Sequence, residues 1–132
     1  MIKELVLSIA ITWIIVKIIK TIIQSRKKGF GWKALLYDGG MPSSHTVLVV
    51  SLATGLYLET GFSYLFIISV VLALTVMWDA MNVRMKVEQH AKILNKLQKD
   101  IKLSEHVGHK PIEVLVALIF GIIIPIIIYT II

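Results

Sequence analysis

Cysteine is absent from this chain of 132 residues, which excludes disulfides, thiolate nucleophiles and cysteine-ligated zinc. Any nucleophilic work falls to serine or histidine. Aromatic residues make up only 8% of the chain, and none interleave the basic runs as bases would require, so nucleic acid is not an expected partner. The chain also lacks a phosphate-binding P-loop, a Gly-x-Ser-x-Gly elbow, and the His-x-x-x-His and His-Glu-x-x-His patterns. Nucleotide hydrolysis and serine-esterase chemistry therefore have no support, and neither a metal nor another cofactor is expected. Internal repeats and low-complexity linkers are missing too.

What is present is grease. Hydrophobic residues form 57% of the chain and the mean hydropathy is +0.84, too apolar for an ordinary soluble domain and too short for two domains. The expectation is one all-α membrane domain over residues 1–132: an integral membrane helical bundle of about four transmembrane helices plus one amphipathic interfacial helix. The spans are expected at about 5–23, 42–58, 62–78 and 112–132, against the ~20 residues a bilayer core requires. Of these, 62–78 is marginal in length, and the second reaches across only if its helix begins near Pro42. Glycine-rich interruptions separate the segments, and Pro125, after Gly121, should kink the last one. The first run is longer than a signal h-region and reaches Lys17, Lys20 and Arg26-Lys27-Lys28 without a small-residue cleavage site, so it reads as a retained anchor with snorkelling lysines.

Between Asp79 and Pro111 the pattern changes. Val83, Val87, Ala91, Leu94, Leu97 and Ile101 recur at steps of three and four, which predicts an amphipathic helix over about 83–103 lying on the membrane surface or capping the bundle. Glu88 stands four residues before Lys92, the favourable order for a helical ion pair. Net charge is +6, and lysine and arginine concentrate in the first and third connections while the second has none. The positive-inside rule then places those two connections in the cytoplasm and both termini outside, in what we expect to be the cytoplasmic (plasma) membrane.

The residues that could carry chemistry cluster in those connections. Gly39-Gly40-Met41-Pro42-Ser43-Ser44-His45 opens directly onto an apolar run, and accessible glycine N–H groups, a proline suited to the first helical position, two hydroxyls and an imidazole describe a phosphate seat at a helix N-terminus. Gly40, Ser43 and Ser44 are the expected phosphate contacts there, with Lys33 nearby. A helix cap with a histidine at headgroup depth accounts for the same residues in purely structural terms. Asp79 and Arg84 bring opposite charges to the interface, either as a phosphate clamp with its orienting carboxylate or as an ion pair closing a helix. His90 follows Arg84 by six positions and reads equally as a surface residue. His109 precedes the last apolar run, supplying a second histidine at the depth of His45; Glu105 and His106 lie just before it.

Taken with Trp78-Asp79-Ala80-Met81-Asn82-Val83-Arg84, Ala91-x-x-Leu94-Asn95 and Glu105-x-x-Gly108-His109-x-Pro111-x-Glu113-Val114, the Gly-Gly-Met-Pro-Ser-Ser-His motif resembles the divergent PAP2 family, over about Trp13 to Gly121. The resemblance implies kinship with PAP2 lipid phosphatases, which use a Pro-Ser-Gly-His turn with an acid histidine and a Ser-Arg-x5-His-x3-Asp motif with the nucleophile. Ser44 replaces the glycine of the first motif. Arg84 and His90 keep the spacing of the second, but Leu94 occupies the place of its aspartate, which leaves His109 as the stronger nucleophile. The expected function is therefore membrane-embedded lipid phosphate hydrolysis, of a phosphomonoester or diphosphate on a phosphatidyl or polyprenyl lipid, through histidine phosphoryl transfer. His45 is the expected acid, His109 the nucleophile and Asp79 the orienting group; His90 and Glu105 are further residues considered. The expected partners are the lipid phosphate substrate and membrane lipids, with a homo-oligomer left open. The alternatives are a non-catalytic module that holds anionic lipid or scaffolds partners, and a small transporter using Asp79 and Arg84.

Overall fold

The computed structural model describes residues 2–28, 40–100 and 102–131, and among them there are helices and no strands. The helices are α1 (Ile2–Lys28), α2 (Ser44–Thr60), α3 (Tyr64–Met81), α4 (Val83–Leu97) and α5 (Pro111–Ile131). Three segments are long and apolar enough to cross a bilayer: Ile2–Arg26, Tyr64–Leu97, which joins α3 to α4, and Pro111–Ile131. At 17 residues α2 is about 25 Å long, short of a ~30 Å hydrocarbon core.

That shortness has a local cause. Ser43 holds an extended backbone and its hydroxyl accepts from the Thr46 N–H, so it is the N-cap and the helix begins at Ser44. Pro42 lies outside the helix, before the cap, instead of occupying its first turn. At the other end the chain turns through Gly61, whose positive φ of 62° suits glycine, and Ser63 caps α3 by accepting from the Phe66 N–H.

The bundle is built inside out relative to a soluble protein. Its interior is small and partly polar: Ser8, Thr12, Val16, Val47, Ser51, Ala73 and Ala117 are buried, while Ile14, Leu65, Ile68, Leu74 and Ile123 point outward. Large aliphatic side chains lose nothing by facing lipid, and small ones let backbones approach. Gly121 shows how close α2 and α5 come, since a Cβ there would sit 2.7 Å from the Val50 side chain. Pro125 lies inside α5 without ending it, and having no N–H it leaves the Gly121 carbonyl without its intrahelical donor. The Thr54 hydroxyl on α2 donates to that carbonyl at 3.1 Å.

Two contacts set the register of α2 and α5. Thr54 reaches Gly121, and the Tyr129 hydroxyl donates to Glu59 at 2.9 Å, so the two helices run parallel with their N-termini at one end. The offsets of 67 and 70 residues in these two contacts put Ser43 at the level of the 110–113 turn. α1 runs the other way, with Leu5 against Gly55 and Gln24 against Gly40. Its residue Lys20 therefore lies at the same end as Ser43 and Glu113.

α4 ends at Leu97, short of the expected 103. The Asn95 amide explains this, because it donates to the Leu103 carbonyl and to Glu105 and accepts from the Leu103 N–H, folding the chain back along the helix. A side chain here does the work of a strand partner.

Candidate functional site

The end of the bundle where α2 and α5 begin also holds the junction of α3 with α4, and the expected chemistry gathers there. Arg84 donates through Nε to Asp79 Oδ2 at 2.9 Å, with both side chains partly exposed. This uses one donor of the guanidinium; its two terminal nitrogens have no hydrogen-bond partner among the described residues.

His109 reaches the same junction through its backbone, its N–H donating to the Ala80 carbonyl at 3.1 Å. The preceding Gly108 donates its N–H to Glu88 of α4 at 3.1 Å. Only glycine fits at 108, since a Cβ would lie 2.8 Å from the Met85 Cα, and a backbone cannot yield as a side chain can. The chain is thus clamped between α3 and α4 just before α5 starts. Pro111 then takes the first helical position, and Glu113 accepts from the Lys110 N–H at 3.1 Å, half of a capping box.

The same carboxylate oxygen lies 3.2 Å from His109 Nδ1. The imidazole is 1% exposed, and its Nε2 is buried with no hydrogen-bond partner among the described residues. Burial pushes its pKa below the ordinary 6.5; the bond to Glu113 and that residue's charge oppose the shift, and the positive charges of Lys20 and Arg84 favour it. A neutral imidazole facing a carboxylate carries its proton on Nδ1, so the Nε2 lone pair is free.

Lys20 is the unexpected member. Far from snorkelling, it is 2% exposed, on the face of α1 that also buries Ser8, Thr12 and Val16 at steps of four. On α2, Ser44 is buried and its hydroxyl has no partner among the described residues, whereas the Ser43 hydroxyl accepts from Thr46 in the cap. His45 is half-buried in the first turn of α2. Gly40 is half-buried against Gln24.

The structure therefore brings together Lys20, Asp79, Arg84, His109 and Glu113, with Ser43, Ser44 and His45 at the same end of the bundle. Two other residues lie elsewhere. His90 is exposed on the outward side of α4, and Glu105 is held by Asn95. Lys33 and Gly39 lie outside the described residues. Glu113 and Lys20 were missing from the sequence-based site, although each left a signal: a carboxylate four residues after His109, and a lysine in register with two small polar residues. Among the described residues no group of three or more histidines and carboxylates could hold a metal ion.

Comparison with known proteins settles the kinship. The family model described as the divergent PAP2 family matches residues 2–124. The chain belongs to the divergent PAP2 family. It is also similar to the uncharacterized membrane protein YuiD of Bacillus subtilis (strain 168), at 36% identity over 129 residues, covering 82% of this chain and 80% of the relative. No solved structure matches. Kinship, hydropathy and helix lengths together make this an integral membrane protein of PAP2-like type.

Proposed function

We propose that this protein is a lipid phosphate phosphatase whose nucleophile is His109. One observation carries the reading: a buried neutral imidazole has its Nδ1 against a carboxylate and its Nε2 unpartnered, near two cations. This is the arrangement a nitrogen nucleophile needs toward an anionic phosphorus centre, whose charge would otherwise repel an electron pair.

In the proposed reaction the Nε2 lone pair attacks phosphorus and the bond from phosphorus to the lipid oxygen breaks. The leaving oxygen takes a proton from His45. Water then attacks the phosphohistidine, the phosphorus–nitrogen bond breaks, and inorganic phosphate leaves while His45 regains a proton. Arg84 and Lys20 neutralise the phosphate oxygens, Ser44 donates its hydroxyl, and the positive end of the α2 dipole adds to the seat. Gly40 and Lys33 complete the proposed phosphate contacts, with Ser43 shaping the turn. Asp79 orients Arg84, and Glu113 orients His109. The charge pattern favours the cytoplasmic face of the plasma membrane for this end of the bundle, where a lipid presents its phosphate while its tails stay in the bilayer. A phosphomonoester or diphosphate of a phosphatidyl or polyprenyl lipid is the substrate this implies.

The burial of Nε2 favours a second reading. If that atom never meets a ligand, His109 and Glu113 serve only to seat α5 on α3, and the protein is a non-catalytic module that binds anionic lipid or scaffolds partners. Phosphate release from a panel of lipid phosphates by the purified protein in nanodiscs distinguishes the two. The enzyme reading predicts release that His109→Gln abolishes; the module predicts none from either protein.

A further inference from the structure

α4 carries two faces, and the bundle takes the unexpected one. Val83, Val87, Leu94 and Leu97, with the exposed His90 among them, share an arc of about 80° on the helix, yet the four aliphatic residues are 48–78% exposed. In a soluble protein that arc would face the core. Here the inward side carries Arg84, Glu88 and Asn95 instead, each already bonded: to Asp79, to Gly108 and Lys92, and to Leu103 and Glu105. Rolling the helix to bury its apolar arc against the bundle would break the bonds of Arg84 to Asp79 and of Glu88 to Gly108. Among the described residues nothing covers the arc.

Two further observations identify the cover. α4 departs from α3 at Asn82, just after the exposed Trp78 and the charged Asp79, which is the composition of a membrane–water boundary. The segment 83–102 also carries lysines at 86, 92, 96, 99 and 102 against only two carboxylates, Glu88 and Asp100. A basic cluster beside a membrane helix attracts anionic phospholipid.

We infer that α4 lies in the headgroup region of the adjoining leaflet, with Val83, Val87, Leu94 and Leu97 sunk toward the acyl chains and the lysines drawing anionic lipid. The occupant of the apolar arc is the leaflet, not a second copy of the chain. Because the opposite face of the same helix holds Arg84 and the segment before His109, the leaflet also braces that end of the bundle. The inference stands on the helix's own faces and holds whether or not the protein is an enzyme.

The absence of cysteine makes the test clean, since one introduced thiol is unique. Spin labels are placed at Val87→Cys, Leu94→Cys and Lys92→Cys in otherwise unchanged full-length protein. Their collisions with oxygen and with a water-soluble nickel chelate are compared in vesicles of phosphatidylcholine with and without phosphatidylglycerol. The expected result is a nickel-to-oxygen ratio several-fold lower at 87 and 94 than at 92, with the difference shrinking when phosphatidylglycerol is left out. Nickel access at 94 equal to that at 92 would overturn the inference, as would shielding of 94 from both reagents with dipolar coupling between labels, which marks a second copy. Replacing Lys86, Lys96 and Lys99 together by glutamine should remove the dependence on phosphatidylglycerol. A dependence that survives those changes would overturn the role given to the lysines.

Discussion

Glu113 stands one helical turn after His109 and meets it with a single oxygen, 3.2 Å from Nδ1, while the same oxygen caps the backbone at Lys110. One carboxylate thus fixes both the start of α5 and the orientation of the imidazole. The two roles are separable, because an amide oxygen can cap a helix but cannot stabilise an imidazolium as a carboxylate does. Glu113→Gln should leave the thermal midpoint nearly unchanged while lowering kcat on a lipid phosphate by ~10²-fold, the scale of losing a well-placed acid–base partner. Thermal unfolding in detergent and initial rates of phosphate release check the two halves.

His109 sets a pH dependence whose sign is fixed by its burial. Its pKa in the folded protein lies below 6.5, so at pH 7 it is mostly neutral in both the folded and unfolded states and contributes only a small pH slope. As pH falls below 6.5 the unfolded chain takes up a proton that the folded one resists, and stability declines. Denaturant midpoints at descending pH should fall for the native chain and fall less for His109→Gln. The same shift predicts phosphatase activity that holds at neutral pH and fails on the acid side of 6.5.

Lys20 can be tested apart from folding. Methionine matches the length of its stem without the charge. Lys20→Met should weaken inorganic phosphate binding by about tenfold and raise the pKa of His109 by removing a nearby positive charge. Calorimetry and histidine NMR titration read the two effects.

At Gly121 the prediction concerns architecture alone. Gly121→Ala places a methyl group against Val50 where α2 and α5 touch and strains the Thr54 bond to the neighbouring carbonyl. A cost of about 1–3 kcal/mol is expected, the range for overpacking a tight core. Unfolding of the variant in mixed micelles measures it.

The residues that could be read from the chain and those that could not differ in a physical way. Local features were legible: the ion pair of Glu88 with Lys92 forms at 2.7 Å, Asp79 pairs with Arg84, and the period of α4 announced a two-faced helix. Such features depend on neighbours within a turn or two. Which face turns inward depends on the rest of the bundle. In α1, apolar residues occupy every side, so only Ser8 and Thr12 hinted at the buried seam that holds Lys20. In α4, the apolar stripe left the membrane surface and a cap over the bundle both open, and polar groups took the inward position because Arg84 and Glu88 had partners there. Pro42 suited a helix start in isolation; the hydroxyl of Ser43 made a better cap one residue later.

The central claim is that His109 takes a phosphoryl group. Purified protein mixed with a phosphate-labelled phosphatidyl or polyprenyl phosphate and quenched within one turnover tests it most directly. The account predicts a protein-bound phosphate that is stable to base, labile to acid, mapped by mass spectrometry to His109 and absent from His109→Gln. Lipid phosphate hydrolysis that proceeds without labelling His109, or no hydrolysis together with unchanged lipid binding in His109→Gln, would contradict it.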